Sequence, residues 1–359
     1  MVNPSLECGS WPVDPPVAPP LLPEQARWFT ATLRSKGESA DDAWRTWAAR
    51  LVKRDQVNTE LLRSIWEAVV GFDETLARFV EAPVPVPPGT VSVSGSGKET
   101  LKTFNVSTAA ALMAAAAGVS VVKGTSASVS AVSGSDDVLA EIGVPVLHDP
   151  ALVTESVLRT GIAFVSYGSF CPRYAARYDG CFRALNPMSF LMPAASLLVS
   201  ADAFLHGLAH DDVGTAAHGI HAARPDIARG RVGTTLLGPG LRVDELAPVS
   251  RTTYADLHWG HVKVTQRVLG GSIGPWRRAV AHRASHRANA AVLLESLRPD
   301  ATTVLADFVD VNAAAVVSLA RPEITEDDAL TLVHEARRRG GPARILHSLR
   351  ETTPRKESR

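Results

Sequence analysis

The segment S-G-S-G-K-E-T-L-K-T-F-N-V-S-T, Ser94 to Thr108, carries the turn on which the fold reading depends. Just before it Val91 and Val93 alternate with Ser92 and Ser94, the two-residue period of a short strand. Gly95 and Gly97 let the backbone turn sharply and aim N–H groups into a concavity. Asn105, Ser107 and Thr108 stand where an alanine-rich helix, Thr108 to Ala117, is expected to begin. Strand, glycine turn and helix N-terminus in that order favour a bound anion, because the first helical N–H groups are unpaired and carry partial positive charge. Lys98, Lys102 and Lys123 are near enough in sequence to add cationic donors. An isolated G-x-G is more often a plain turn with hydroxyl caps, so this motif alone assigns no ligand. It is also not the nucleotide-triphosphatase loop G-x-x-x-x-G-K-[ST], whose first glycine would fall at Ser92 and whose last position is Glu99.

Downstream, Val119 to Lys123 reads as a strand, Asp136 to Ile142 as a helix with an acidic first turn, and 161–168 and 232–238 as further strands. This alternation predicts an α/β fold with a mostly parallel central sheet flanked by helices. Upstream, Phe29, Leu33, Trp44, Trp47, Leu51, Leu61, Ile65, Val69, Leu76 and Phe79 recur at three- and four-residue intervals and predict a smaller all-helical domain. Ser39, followed by Asp41 and Asp42, looks like a helix start. The expected division is an extended Pro-rich arm over 1–22, a helical domain over 23–88 with a returning segment near 172–205, an α/β domain over 89–171 and 206–345, and a flexible tail over 346–359. The proline run at 81–90 makes a semi-rigid joint between the first two units.

Among the 359 residues, 37 Lys+Arg balance 37 Asp+Glu, so no global basic field draws in nucleic acid or an anionic membrane. Cys8, Cys171 and Cys181 make no disulfide framework or CxxC pair, which fits a reducing, cytoplasmic setting. The longest apolar stretch, Ala109 to Val122, falls short of the roughly 20 residues a membrane span needs. The N-terminus lacks the regions of a signal peptide. His206 and His210, His218 and His221, and His282 and His286 have helical spacing, yet scattered histidines are far commoner than a zinc site, and none is expected. Arg283 and Arg287 would share a helical face, expected to be solvated rather than to bind RNA. Trp28, Trp44, Trp47 and Trp66 crowd the helical unit, either as its core or as a subunit interface.

With these residues in view, the chain resembles the anthranilate phosphoribosyltransferases and their nucleoside-phosphorylase relatives. That family carries G-T-G-G-D-G-x-x-T-F-N-I-S-T, which aligns with Gly95 to Thr108. Its K-H-G-N-R-S-V-S-S-K-S-G-S aligns without gaps with Lys123 to Ser135. F-T-A-T-L-R-S-K-G-E-S at Phe29 to Ser39 and V-D-E at Val243 to Glu245 are similar to two further family segments, and Asn289-Ala290-Ala291 fits more loosely. The resemblance implies a transferase that takes 5-phosphoribosyl-1-pyrophosphate (PRPP) as its magnesium complex and a small aromatic acceptor, working as a homodimer through the helical domain. Carried over position by position, Gly95, Ser96, Gly97, Lys98, Glu99, Thr103, Asn105, Val106, Ser107, Thr108, Lys123, Ser126, Ser128, Ser130 and Ser135 would hold PRPP. Ser107, Asp244 and Glu245 would bind Mg2+, an ion suited to hard oxygen ligands. Charge developing on the departing pyrophosphate is met by cations and N–H groups, so no side chain is assigned as a general base.

The departures fall on the acceptor side. The family's K-H-G-N-R reads Lys123-Gly124-Thr125-Ser126-Ala127 here, and its carboxylate-binding Arg in P-V-R-R aligns with Phe182, followed by Arg183. A phenyl ring makes no bidentate ion pair. Gly124, Ser126, Phe182 and Arg183 are therefore the candidate acceptor residues, with Arg173, Arg177 and Arg183 the alternative anchors for a carboxylate. Three readings follow: a transferase with an altered acceptor, a true anthranilate enzyme, or a non-catalytic paralogue. Retained Asp244, Glu245, Ser107 and Lys123 argue against the third, because a dead paralogue has no reason to keep metal ligands, and the first is preferred. Lys98 replaces a family glycine and could add charge to the donor site or obstruct it.

Overall fold

Strand side chains alternate between two apolar cores, one on each face of a single sheet. The computed structural model describes residues 22–126 and 133–351, with side chains from 27 onward. Helices α1 (Leu22–Arg34), α2 (Glu38–Lys53), α3 (Thr59–Phe72) and α4 (Glu74–Glu81) come first. There follow β1 (Val91–Gly95), α5 (Val106–Ala116), β2 (Val121–Thr125), α6 (Ser135–Glu141), α7 (Val153–Thr160), β3 (Ile162–Ser166), α8 (Pro172–Tyr178), α9 (Met192–Ala195), β4 (Ala203–Gly207) and α10 (Val213–Ala223). The chain continues through β5 (Arg229–Gly238), β6 (Leu241–Val243), β7 (Ser250–His258), β8 (His261–Leu269), α11 (Ile273–Val280), α12 (His286–Ser296), α13 (Thr303–Ala320), α14 (Glu326–Arg338) and α15 (Gly341–Glu351). The sheet order is β3-β2-β1-β4-β5-β7-β8, with β6 beside β5. Its first five strands pair in parallel and the β7–β8 hairpin closes it antiparallel.

Burial assigns the faces. Val91, Val93, Val121, Ile162, Phe164, Ala203 and Leu205 join a core built with α5, α13, α14 and α15. Val122, Ala163, Val165, Phe204 and Val232 point to the opposite core, shared with α1–α4, α8 and residues 188–201. The alanines of α5 let α13 approach closely across the first of these faces. Alone among the described helices, α13 is long and apolar enough to cross a membrane, and most of that window is buried in this core. Asp310 of α13 accepts two N–H bonds from Arg337 at 2.6 and 3.0 Å, while another Arg337 nitrogen donates to the Ser296 and Arg298 carbonyls. That buried fork ties α12, α13 and α14 together.

Several expectations need correcting. Glu38 opens α2 and Gly37 is its N-cap, so Ser39 lies inside the first turn and caps nothing. The returning segment near 172–205 ends in sheet, because Ala203–Gly207 pairs with β1 and β5. The tail expected from 346 is helical through Glu351, with Leu346 and Leu349 buried. Trp28, Trp44, Trp47 and Trp66 are all buried within the chain, which makes their crowding an ordinary core. Ser285 caps α12 and separates Arg283 from Arg287; the Arg283 guanidinium donates instead to carbonyls at the end of α11. His206 lies on strand β4, so its spacing to His210 is not helical. The Pro-rich arm, Ser128, Ser130 and Ala127 lie outside the described residues.

Candidate functional site

In this sheet β1 connects onward toward β2 and β3, whereas β4 and β5 extend on its other side. Such a reversal of strand order leaves a crevice at the carboxyl ends, where ligands of open α/β sheets bind. Gly95 and Gly207 are paired at those ends of β1 and β4. A cleft of about 220 Å3 opens above them.

Local hydrogen bonds set the cleft's floor. Ser96 N donates to the Gly207 carbonyl, and Thr100 and Leu101 N–H groups donate to the Arg242 carbonyl, laying the glycine turn against β6. Ser96 Oγ at 2.8 Å and Gly97 N at 3.0 Å both donate to Asp244 Oδ2. Thr103 Oγ1 donates to Glu245 Oε1, and Asn312 of α13 grips the backbone of Leu246 on both sides. Gly207 has to lack a side chain, since a Cβ there would lie 2.0 Å from the Asp244 carbonyl oxygen. Asn105, with φ 64, starts α5 in the left-handed region without a side-chain cap. A non-glycine residue held there stores strain of the kind that gathers at functional sites.

The electrostatics are unusual for a protein surface. Glu99, Asp244 and Glu245 crowd one another in the cleft. Burial, then the Asp244 charge, pushes the Glu99 carboxyl up to about 7; burial with Asp244 and Glu99 carries Glu245 well above the ordinary carboxylate range. Glu99 Oε2, Glu245 Oε2, Asn105 Oδ1 and Thr108 Oγ1 are buried without a hydrogen-bond partner. Unpaired buried carboxylate oxygens are costly unless protonated or met by a cation. Lys123 stands opposite, its Nζ donating to the Gly124 carbonyl at 2.7 Å, and burial lowers it to about 8 against the pull of Asp244, Asp136 and Glu245. Behind the floor, His206 joins Ser94 Oγ at 3.0 Å and the Ser189 carbonyl at 3.1 Å, and burial lowers it to about 4, so its ring is neutral.

The cleft gathers Gly95, Ser96, Gly97, Lys98, Glu99, Thr103, Asn105, Ser107, Thr108, Lys123, Gly124, Ser126, Ser135, Asp244 and Glu245. Ser135 Oγ accepts from Ser126 N, joining the two ends of the second motif. Val106 does not line it; its side chain is fully buried in the α5 core.

Phe182 and Arg183 do not line it either. The Phe182 ring stacks on Tyr178 at 5.3 Å and meets Trp44 edge-on at 4.8 Å, inside the helical unit. Its ring backs the cleft residue Tyr178, and its carbonyl accepts from Lys98 Nζ at 2.8 Å. Lys98 thus crosses to the helical wall. Arg183 is exposed. Arg177 pairs with Asp41 at 2.7 Å over the Trp44 ring, and Arg173 donates to the Phe72 carbonyl over the Phe72 ring. Sequence reasoning missed the residues that do form this wall: Tyr167, Tyr174, Tyr178, Asp179, Met188, Met192 and Pro193. The i, i+4 spacing of Tyr174 and Tyr178 on α8 was the available signal.

Comparison with known proteins decides the family. Residues 88–343 match the family described as glycosyl transferase family, a/b domain. The anthranilate phosphoribosyltransferase of Haloarcula marismortui is 30% identical over 297 residues, covering 78% of this chain and 84% of that protein. The chain belongs to the anthranilate phosphoribosyltransferase family. The family member of Paramagnetospirillum magneticum is 29% identical over 276 residues, covering 74% of this chain and 76% of that one. Among solved anthranilate phosphoribosyltransferases, the Thermus thermophilus structure superposes with a TM-score of 0.71 at 20% identity, covering 92% and 95% of the two chains. The Saccharomyces cerevisiae structure, in complex with PRPP and Mg, gives 0.72 at 16% identity over 92% and 93%. These two likenesses concern the fold.

Proposed function

We propose that the chain is a magnesium-dependent phosphoribosyltransferase that moves the 5-phosphoribosyl group from PRPP to an aromatic or heteroaromatic acceptor and releases pyrophosphate. The observation carrying this reading is the convergence of the 95–99 turn, the Lys123–Ser126 and Ser135 segment and the Asp244–Glu245 pair on one cleft at the strand-order reversal. In this reading Asn105, Ser107 and Thr108 at the start of α5, together with Lys123, hold the pyrophosphate and ribose phosphate beside the Gly95–Gly97 turn, whose Ser96 and Gly97 N–H groups brace Gly207 and Asp244. Ser128 and Ser130, outside the described residues, would join the same shell on the motif resemblance alone.

The donor set fits Mg2+. Among the described residues no group of three or more His, Cys, Asp or Glu side chains could hold a metal by itself. Magnesium asks for less, one or two carboxylates with water and substrate phosphates completing its shell. Asp244 and Glu245, with Glu99 beside them and Ser107 at the helix start, would hold it, and the unpaired Glu245 Oε2 and Glu99 Oε2 are ready donors. Bound Mg2+ would supply charge against the departing pyrophosphate. The protein's own part is to bind, orient and exclude water: Lys123 and the start of α5 would face the leaving group, while the tyrosine wall seats the acceptor across the cleft. The cytoplasmic homodimer remains part of this proposal on the family resemblance alone.

The altered-acceptor reading is favoured over anthranilate itself because Arg173, Arg177 and Arg183 all stay out of the cleft. Incubation with PRPP, Mg2+ and a panel of aromatic acceptors should release pyrophosphate with at least one of them. No release with any acceptor, together with no PRPP binding, removes the enzyme reading.

A further inference from the structure

The helical wall of the cleft has its own chemistry. Tyr174 is fully buried, lines the cleft, and its Oη has no hydrogen-bond partner. A buried hydroxyl left unsatisfied points to a ligand group that completes it. Its ring stacks on Tyr178 at 5.3 Å with planes 20° apart, which fixes the hydroxyl's direction by packing. One turn further along, Asp179 stands at the cleft mouth, where the Tyr167 hydroxyl donates to Oδ1. A carboxylate has two oxygens, so Oδ2 keeps its capacity to accept.

Among the described residues, Lys98 is a lining cation bonded to this wall. Its Nζ is tied to the Phe182 carbonyl and Asp179 is a nearby counter-charge; burial lowers its pKa to about 8. An incoming carboxylate would therefore meet Asp179 as a like charge and compete with it for Lys98, with no arginine at hand. An N–H donor would meet an acceptor and a hydroxyl already in place.

We propose that this wall selects an aromatic or heteroaromatic acceptor that bears an N–H donor and no carboxylate, with Asp179 accepting from that donor and Tyr174 Oη making the second polar contact. The inference rests on the phosphoribosyltransferase reading and names its acceptor class. Discrimination of this kind comes as much from the repelled group as from the matched one.

A matched pair tests it: 2-aminobenzamide against 2-aminobenzoate, each titrated into the full chain by calorimetry and each offered with PRPP and Mg2+ in turnover assays. The amide should bind at least tenfold more tightly than the acid and give the higher kcat/KM. Asp179→Asn should cut that preference at least fivefold, and Tyr174→Phe, whose ring packing is unchanged, should weaken the amide while keeping the wild-type melting temperature. The acid binding as well as the amide, neither binding, or a preference indifferent to Asp179→Asn would each overturn the assignment. PRPP·Mg binding is measured in parallel on the wild-type chain: its absence defeats the transferase reading itself, whereas its presence with a preferred acid defeats only the acceptor class.

Discussion

Gly207→Ala is the substitution that most cleanly separates the site from the fold. The added Cβ would lie 2.0 Å from the Asp244 carbonyl oxygen and 3.0 Å from its carbonyl carbon, both backbone atoms. Carbon and oxygen not bonded to each other need more than about 3 Å, so the 244–245 backbone must retreat by about 1 Å. That segment is held by Asn312 and by Thr235 Oγ1, which donates to the Glu245 carbonyl at 2.8 Å, so it cannot slide freely. Overpacking of this sort costs about 1–3 kcal/mol. In a chain of 359 residues each kcal/mol lowers the melting temperature by roughly 1–2 °C. The functional cost is larger, because a displacement of about 1 Å in a positioned group can cost on the order of 100-fold in rate. Turnover should therefore fall on that scale in a folded protein, with weakened PRPP·Mg affinity in calorimetry. Gly238→Ala is the control, since nothing lies within 4 Å of a Cβ there, and it should match wild type in both measurements. A folded Gly207→Ala protein that binds PRPP·Mg like wild type would refute the placement of Asp244 and Glu245 in the donor site.

Other consequences are testable on the same protein. Asp310→Ala leaves the buried Arg337 charge without its carboxylate and should destabilise by roughly 3–5 kcal/mol in urea titrations, with PRPP affinity within twofold of wild type in the folded protein. His206 has a folded pKa near 4 against an ordinary 6.5, so the unfolded chain binds the extra proton; its contribution is present above pH 6.5 and lost as pH falls toward 4. From this group the protein should be about 2 kcal/mol less stable at pH 5 than at pH 7, and a His206→Gln variant that shows the same slope would contradict the assignment. Glu245→Gln should abolish the Mg2+-dependent part of PRPP binding while raising thermal stability, since it relieves a carboxylate crowded by Asp244 and Glu99; lower stability would mean that the crowding is already compensated.

Much of the donor half was legible in sequence because its signals are local. A strand of alternating valines, two glycines and a helix start specify the 91–108 backbone with little help from the rest of the chain, and the second motif follows the same logic. The β7–β8 hairpin escaped notice although Trp259 and Gly260, both at positive φ, mark its turn. The acceptor wall was illegible for a different reason. Alignment puts Phe182 where a carboxylate anchor would stand, but ring packing against Trp44 and Tyr178 turns it into the helical core. The same packing brings Tyr174 and Asp179 to the cleft, a choice made by long-range contacts that no spacing rule contains. Lys98 likewise looked ambiguous until its amine was seen to reach the Phe182 carbonyl.

Titration calorimetry of PRPP into the wild-type chain, with Mg2+ and then with the metal chelated, tests the central claim most directly. The account predicts saturable binding of one PRPP per chain that disappears when Mg2+ is removed. Binding that is absent in both conditions, or equal in both, would contradict it.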